Sequence, residues 1–129
     1  MAVLALHPDA KADLDGMIPS DAALIAVCLQ EVESDPKLVA RLLDDHFGED
    51  ATGHYGVKKW ARLWNGGLDI WRLRLWKAEC SGVNYRIFYA YLQTQQRFYI
   101  LGIVPRDEVD YDDPNSQLEV RIRAAFDSL

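Results

Sequence analysis

The chain has 129 residues, half of them hydrophobic, with four Trp, six Tyr and four Phe, which suffices for one core and leaves no room for a second. No stretch reaches the roughly 18–20 consecutive apolar residues of a membrane helix, the N-terminus lacks the basic region of a secretory signal, and Cys28 and Cys80 fit no zinc or redox spacing. A single cytoplasmic domain over residues 1–129 is expected, with reduced core thiols and no membrane association.

Val3 to Leu6 reads as a short strand ended by Pro8, and Pro8 opens a helix that Gly16 stops. Ser20 is placed to cap a second helix from Asp21 to about Glu33, apolar on every side over Ala22 to Leu29 and therefore expected to be clamped between other elements. Asp35-Pro36 starts a third helix with Leu38, Val39, Leu42 and Leu43 on one face, closed by Gly48. Residues 48–57 read as loop. From Leu68 the period changes to two: Trp71, Leu73 and Leu75 share one face, and Arg72, Arg74 and Trp76 the other. Asn84 to Leu92 and Arg97 to Val104 follow as a meander around a polar turn. Asp113-Pro114-Asn115 then leads into a C-terminal helix with Leu118, Ile122, Ala125, Phe126 and Leu129 as its packing stripe. The pattern is α+β: an N-terminal strand and helices packed on an antiparallel sheet of about four strands, with a C-terminal helix.

The net charge of −6 is unevenly spread. Residues 1–52 hold eleven acids and three bases, a balance of −8, whereas residues 57–106 hold nine bases and only Asp69 and Glu79, a balance of +7. Basic residues interleaved with aromatics are the footprint of a polyanion-binding face. Within that segment Arg72 and Arg74 lie on one strand and Arg86 on the next, with Arg106 and Tyr111 just after the third. Whether Arg86 falls beside Arg72 and Arg74 depends on strand register. Arginine suits such a site because its planar fork binds phosphate bidentately and stays charged at any cellular pH. Attack of a ribose 2′-hydroxyl on the adjacent phosphate builds charge on the phosphate oxygens, which fixed cations stabilise. Tyr111 suits stacking on a base or orienting the hydroxyl.

Other combinations are explained more simply. His46 and His54 with Asp44, Asp45, Glu49 and Asp50 match no standard metal spacing and read as an acidic helix end followed by a polar loop. The acidic run 107–113 lacks the ligand spacing and central glycine of a calcium loop, Gly66-Gly67 reads as a turn, and no Ser/His/Asp or Cys/His nucleophile is legible. No metal and no cofactor is expected.

Leu4-Ala-Leu-His-Pro-Asp-Ala-Lys-Ala-Asp-Leu resembles the opening strand and first helix of the RelE/ParE toxin superfamily. Trp71-Arg-Leu-Arg-Leu followed by Ser81-Gly-Val-Asn-Tyr-Arg-Ile-Phe-Tyr resembles its strand pair, and Ile103-Val-Pro-Arg-Asp-Glu-Val-Asp-Tyr its Arg…Tyr loop. Order and spacing agree over most of the chain, while residues about 38–57 look inserted relative to the shortest members. The resemblance implies the toxin of a bacterial toxin–antitoxin pair: a ribonuclease that cuts messenger RNA in the ribosomal A site without metal, held inactive by an antitoxin. It also implies roles. Arg86 would hold the phosphate, Arg106 would protonate or neutralise the leaving 5′-oxygen, and Tyr111 would stack on or orient the substrate, with Lys58, Lys59, Arg72 and Arg74 binding it. Arg72 and Arg74 stand where RelE itself has lysines, and an arginine cannot act as general base. Lys58, Lys59 or Tyr111 would have to take that part. Two other readings remain: a ParE-like toxin that inhibits DNA gyrase without cutting RNA, and a non-toxic protein-binding module of the same fold. The implied partners are a cognate antitoxin seated on an apolar groove between helices and sheet, the ribosome and messenger RNA; a homodimer is a further option.

Overall fold

A computed structural model describes residues 4–48 and 54–129; Val3, Glu49 and Asp50, named above, lie outside the described residues. The element order is β1 (Leu4–Leu6), α1 (Pro8–Gly16), α2 (Pro19–Ser34), α3 (Pro36–Val39), β2 (Tyr55–Lys59), α4 (Ala61–Asn65), β3 (Trp71–Leu75), α5 (Trp76–Cys80), β4 (Tyr85–Leu92), β5 (Arg97–Pro105) and α6 (Gln117–Asp127). The architecture is α+β, with the sheet ordered β1-β5-β4-β3-β2. Two details differ from the sequence expectation. The sheet has five strands among the described residues, and it is mixed, because β1 runs parallel to its neighbour β5 while the other pairs are antiparallel.

The additional strand is β2, drawn from the end of the segment read as loop. Its glycine has a packing reason. Gly56 lies opposite Arg74, and a Cβ built on it would come within 3.0 Å of the Trp76 indole Nε1, so the absent side chain lets that ring lie down on the strand. The outer edge of β2 is covered: Val57 N–H donates to the Phe47 carbonyl (2.8 Å) and Lys59 N–H to Asp45 Oδ1 (3.0 Å), which satisfies groups that would otherwise be open to edge pairing. Trp76 itself begins α5 rather than ending β3.

Helix starts follow proline. Pro8 and Pro36 occupy first-turn positions, with His7 Nδ1 and Asp35 Oδ1 accepting from the N–H of Asp9 (3.1 Å) and Lys37 (3.0 Å). Pro19, not Ser20, decides where α2 begins: Ile18 is the cap residue, without a side-chain cap bond, and Ser20 sits inside the first turn. Proline's fixed φ and missing N–H fit the first helical position, and here that outweighs the serine's capping preference. The third helix is shorter than expected, giving way to turns after Val39, with His46 and Gly48 at positive φ. A Cβ at Gly48 would collide with the Tyr55 carbonyl.

The single core expected from the chain length is divided by the sheet into two hydrophobic clusters, one on each face. On one, Val57, Leu73, Leu75, Ile87 and Ile100 pack under Ala10 of α1 and Ile25, Cys28, Leu29 and Val32 of α2. On the other, Phe88, Ala90 and Leu101 pack against Leu63 of α4 and Ile122 and Ala125 of α6, with Tyr111 half-buried beside them. Alternation along β4, with Ile87 and Tyr89 on one face and Phe88 and Ala90 on the other, is the period-two rule applied to a strand buried on both sides. The second helix is not clamped as its composition suggested: Ala23, Ala26 and Val27 are exposed, and only one stripe is buried. Leu129 is likewise exposed rather than part of the packing stripe of α6, and Cys80 is exposed while Cys28 is buried; neither thiol is in a disulfide. No helix among the described residues is long and apolar enough to cross a membrane.

Candidate functional site

Strand register brings the sequence's arginines together. One row across the sheet reads Gly56, Arg74, Arg86, Val104, and the next reads Lys58, Arg72, Phe88, Gly102. Arg86 is therefore the direct cross-strand partner of Arg74, and Arg72 lies one row away on the same face. Helix α6 covers this face over β4 and β5, leaving the arginine portion on β3 and β4 to shorter elements. Of the other bases in the segment, Lys77 turns away to Glu31 on α2 (3.7 Å) and Arg97 lies at the β4–β5 hairpin end.

Charges on the arginine rows do not balance. Arg74 is held by Glu79 of α5 through Nε (3.2 Å) and Nη2 (2.8 Å), and its guanidinium stacks 3.8 Å from the Trp76 ring centroid. Arg86 is 3 % exposed. Its Nη1 donates to Asn84 Oδ1 (2.9 Å) and to the Tyr85 carbonyl (3.4 Å), and it reaches the same Glu79 at 3.7 Å. One carboxylate thus serves two guanidinium groups. Burial lowers the Arg86 pKa to about 10, with Arg74 and Arg72 pushing the same way and Glu79 and Tyr111 opposing. Arg72 has no carboxylate partner among the described residues; it lies over the Tyr111 ring (5.9 Å), and its Nε is buried without a hydrogen bond. Unneutralised, partly buried positive charge of this kind favours an incoming anion, because field lines are poorly screened there.

Tyr111 packs as much as it projects. Its ring meets Trp60 (5.2 Å) and Phe88 (6.1 Å), and its hydroxyl is buried with no partner among the described residues. Its carbonyl accepts from Arg62 Nε (3.0 Å) and Trp60 Nε1 (3.3 Å), so the 105–112 segment is strapped over the sheet. Arg62 in turn pairs with Glu119, a fully buried carboxylate that also receives Arg123 Nε (3.1 Å). Arg106 follows β5 in a 3-10 turn, its backbone N–H bound to the Asn84 carbonyl (3.0 Å). Its side chain is exposed and makes no hydrogen bond or ion pair among the described residues. Lys58 and Lys59 line a cleft of about 240 Å³ together with Trp60, Arg62, Arg72 and Tyr111. Asp107, Glu108, Asp110, Asp112 and Asp113 are all exposed along the neighbouring loop.

The sequence reading missed Glu79, Asn84, Arg62 and Glu119. A signal existed for Glu79, one of only two acids in the basic segment; for Glu119 the local signals were the Ser116 cap and Arg123 one turn on, while its pairing with Arg62, 57 residues away, had none. The fold also assembles His7, Ser128 and Asp9, a composition that suggests a nucleophilic triad. Hydrogen-bond directions argue against that use. The His7 Nδ1 accepts from Asp9 N–H, so Nε2 carries the proton and donates to Ser128 Oγ (2.9 Å), which donates to the Ala125 carbonyl (2.7 Å). A ring so arranged cannot take the serine proton. No three His, Cys, Asp or Glu side chains converge as a metal site among the described residues. No family model matches the chain, and no curated protein or solved structure matches it.

Proposed function

We propose that the arginine face of β3 and β4 binds the phosphodiester backbone of RNA, and that the chain is the toxin of a bacterial toxin–antitoxin pair: a metal-independent, ribosome-dependent messenger RNA endoribonuclease of the RelE type. The observation that carries the reading is the shared carboxylate. Arg74 and Arg86 face each other across two strands with Glu79 alone between them, and Arg72 adds a third guanidinium without a carboxylate. A phosphate brought to this row would restore the balance and receive bidentate donors.

The chemistry is transesterification. The 2′-oxygen bonds to phosphorus as the bond to the 5′-oxygen breaks, leaving a 2′,3′-cyclic phosphate and a 5′-hydroxyl. Arg74 and Arg86 stabilise the charge that builds on the non-bridging oxygens. Arg106, anchored through Asn84 beside Arg86 and free of internal partners among the described residues, neutralises the leaving oxygen, which takes a proton from water to become the 5′-hydroxyl. The 2′ proton goes to Lys58, Lys59 or Tyr111, since none of the arginines can accept it. The implied antitoxin has a surface to cover: an apolar groove lined by Leu4, Leu6, Leu14, Ala26, Leu29 and Ile100 beside the edge strand β1.

The test is inducible expression in bacteria with growth followed and messenger RNA ends mapped, alongside Arg106→Ala and Arg86→Met. New in-frame cuts that both substitutions abolish support the reading. Growth arrest with intact messages removes RNA cleavage and favours the ParE-like, gyrase-directed alternative, for which the five exposed acids of the 107–113 loop, unfavourable to RNA, speak. No arrest leaves the non-toxic binding module.

A further inference from the structure

We infer that the cleft between β2, α4 and the 105–112 segment is a second nucleotide subsite, which takes the phosphate next to the one held at Arg74–Arg86 and stacks its base against Trp64. The inference rests on the RNA-binding reading and adds to it a direction and a length of contacted strand.

Three observations converge on the cleft. Its lining brings Arg72, which has no carboxylate partner among the described residues, together with Lys58, Lys59 and Arg62, the last of these paired with Glu119. One carboxylate, the exposed Asp112, belongs to the lining and leaves the cations in excess; outside it, Asp69 accepts from Trp71 Nε1 (2.6 Å) and Asp45 accepts the Lys59 backbone N–H. Two residues of its wall, Arg72 and Tyr111, each bury a polar atom with no hydrogen-bond partner among the described residues, the Nε of one and the hydroxyl of the other. A guanidinium N–H and a phenol O–H left in this state are two unfilled donors in the wall, and a phosphodiester carries two non-bridging oxygens able to accept. Finally, Lys59 Nζ lies 3.9 Å from the centroid of Trp64, a ring 44 % exposed on α4. An exposed indole beside a cationic cleft is the platform on which single-stranded bases stack.

Geometry sets the order of the two subsites. The Arg74–Arg86 row and the Lys58–Arg72 row are two residues apart along β3, about 6.5–7 Å, which is close to one nucleotide of an extended single strand. The backbone would step from the first row to the second and deliver its next base towards α4. Trp60 cannot serve as the platform, since it is 3 % exposed and committed to the core.

The experiment is equilibrium binding of fluorescently labelled single-stranded oligouridylates, one to six nucleotides long, to the full chain over a salt series. The comparison set is wild type, Arg86→Met, Arg72→Gln, Trp64→Ala and Trp64→Phe, each checked for folding by its unfolding transition. Wild type should gain affinity sharply on going from one nucleotide to two. Arg72→Gln should abolish that step and lower the slope of log K against log salt by about 0.7, the loss of one phosphate contact. Trp64→Ala should weaken binding about ten-fold without changing the salt slope, with Trp64→Phe recovering much of the loss. If RNA binds and Arg86→Met weakens it while Arg72→Gln and Trp64→Ala change neither affinity nor slope, the second subsite is wrong and the first stands. If wild type binds no oligouridylate at all, the RNA-binding reading fails and the subsite with it.

Discussion

Replacing Arg86 by Met separates function from stability, because the two should move in opposite directions. The guanidinium is 3 % exposed and its pKa is lowered to about 10, chiefly by burial. That lies well below the ordinary guanidinium range, so keeping the group charged in the fold costs about 3 kcal/mol. Methionine forfeits the hydrogen bonds to Asn84 and the Tyr85 carbonyl, roughly 1–2 kcal/mol together, and fills similar space in an adaptable shape. Glu79 keeps Arg74, so no carboxylate is left unpaired. The net expectation at pH 7 is a gain of about 1–2 kcal/mol, read by urea unfolding, with RNA binding lost. The pH dependence carries a sign of its own. Above about pH 10 the folded chain binds fewer protons at Arg86 than the unfolded chain, whose guanidinium keeps its higher ordinary pKa, so this group's contribution to stability rises with pH. The difference between wild type and variant, in which other lysine and tyrosine titrations cancel, should therefore begin to close above pH 10. A variant destabilised by 2 kcal/mol or more at pH 7 would refute the reasoning, since Arg86 would then be a structural ion-pair member rather than surplus charge.

Three further outcomes follow from the same contacts. Glu79→Gln should tighten RNA binding several-fold by removing the internal competitor for Arg74 and Arg86, while lowering stability by about 2 kcal/mol through loss of the charged hydrogen bonds; weaker RNA binding in a folded variant would count against the shared-carboxylate argument. Glu119→Ala should cost about 3 kcal/mol, because a carboxylate 1 % exposed is taken from both Arg62 and Arg123. Hydrogen exchange should show faster opening of the 105–112 segment that Arg62 straps down, and unchanged protection there would refute the strap. Gly56→Val should displace Trp76 and cost about 1–3 kcal/mol by overpacking, with the loss of the Trp76–Gly48 hydrogen bond visible in the indole N–H resonance.

What the sequence determined by itself is mostly local. Period-two alternation put Trp71, Leu73 and Leu75 on one face and Arg72 and Arg74 on the other, and the structure agrees, because side-chain direction along a strand follows from backbone geometry alone. Proline positions located the starts of α1 and α3 for the same reason, and at α2 the proline, not the capping serine, set the boundary. The charge segregation was legible as a count, and it singled out the segment that carries β3 and β4. Tertiary structure decided everything that depends on residues distant in the chain. The parallel pairing of β1 with β5 joins Leu4 to Phe98, and no local pattern encodes such a partner. Residues 55–57, the first part of β2, look like loop because Gly56 breaks the apolar alternation, and the reason for the glycine is an indole twenty positions later. Register alone made Arg74 and Arg86 neighbours. That neighbourhood, with one carboxylate between two guanidinium groups, turned a tally of basic residues into a candidate site, because electrostatic energy depends on separation and burial and a sequence fixes neither.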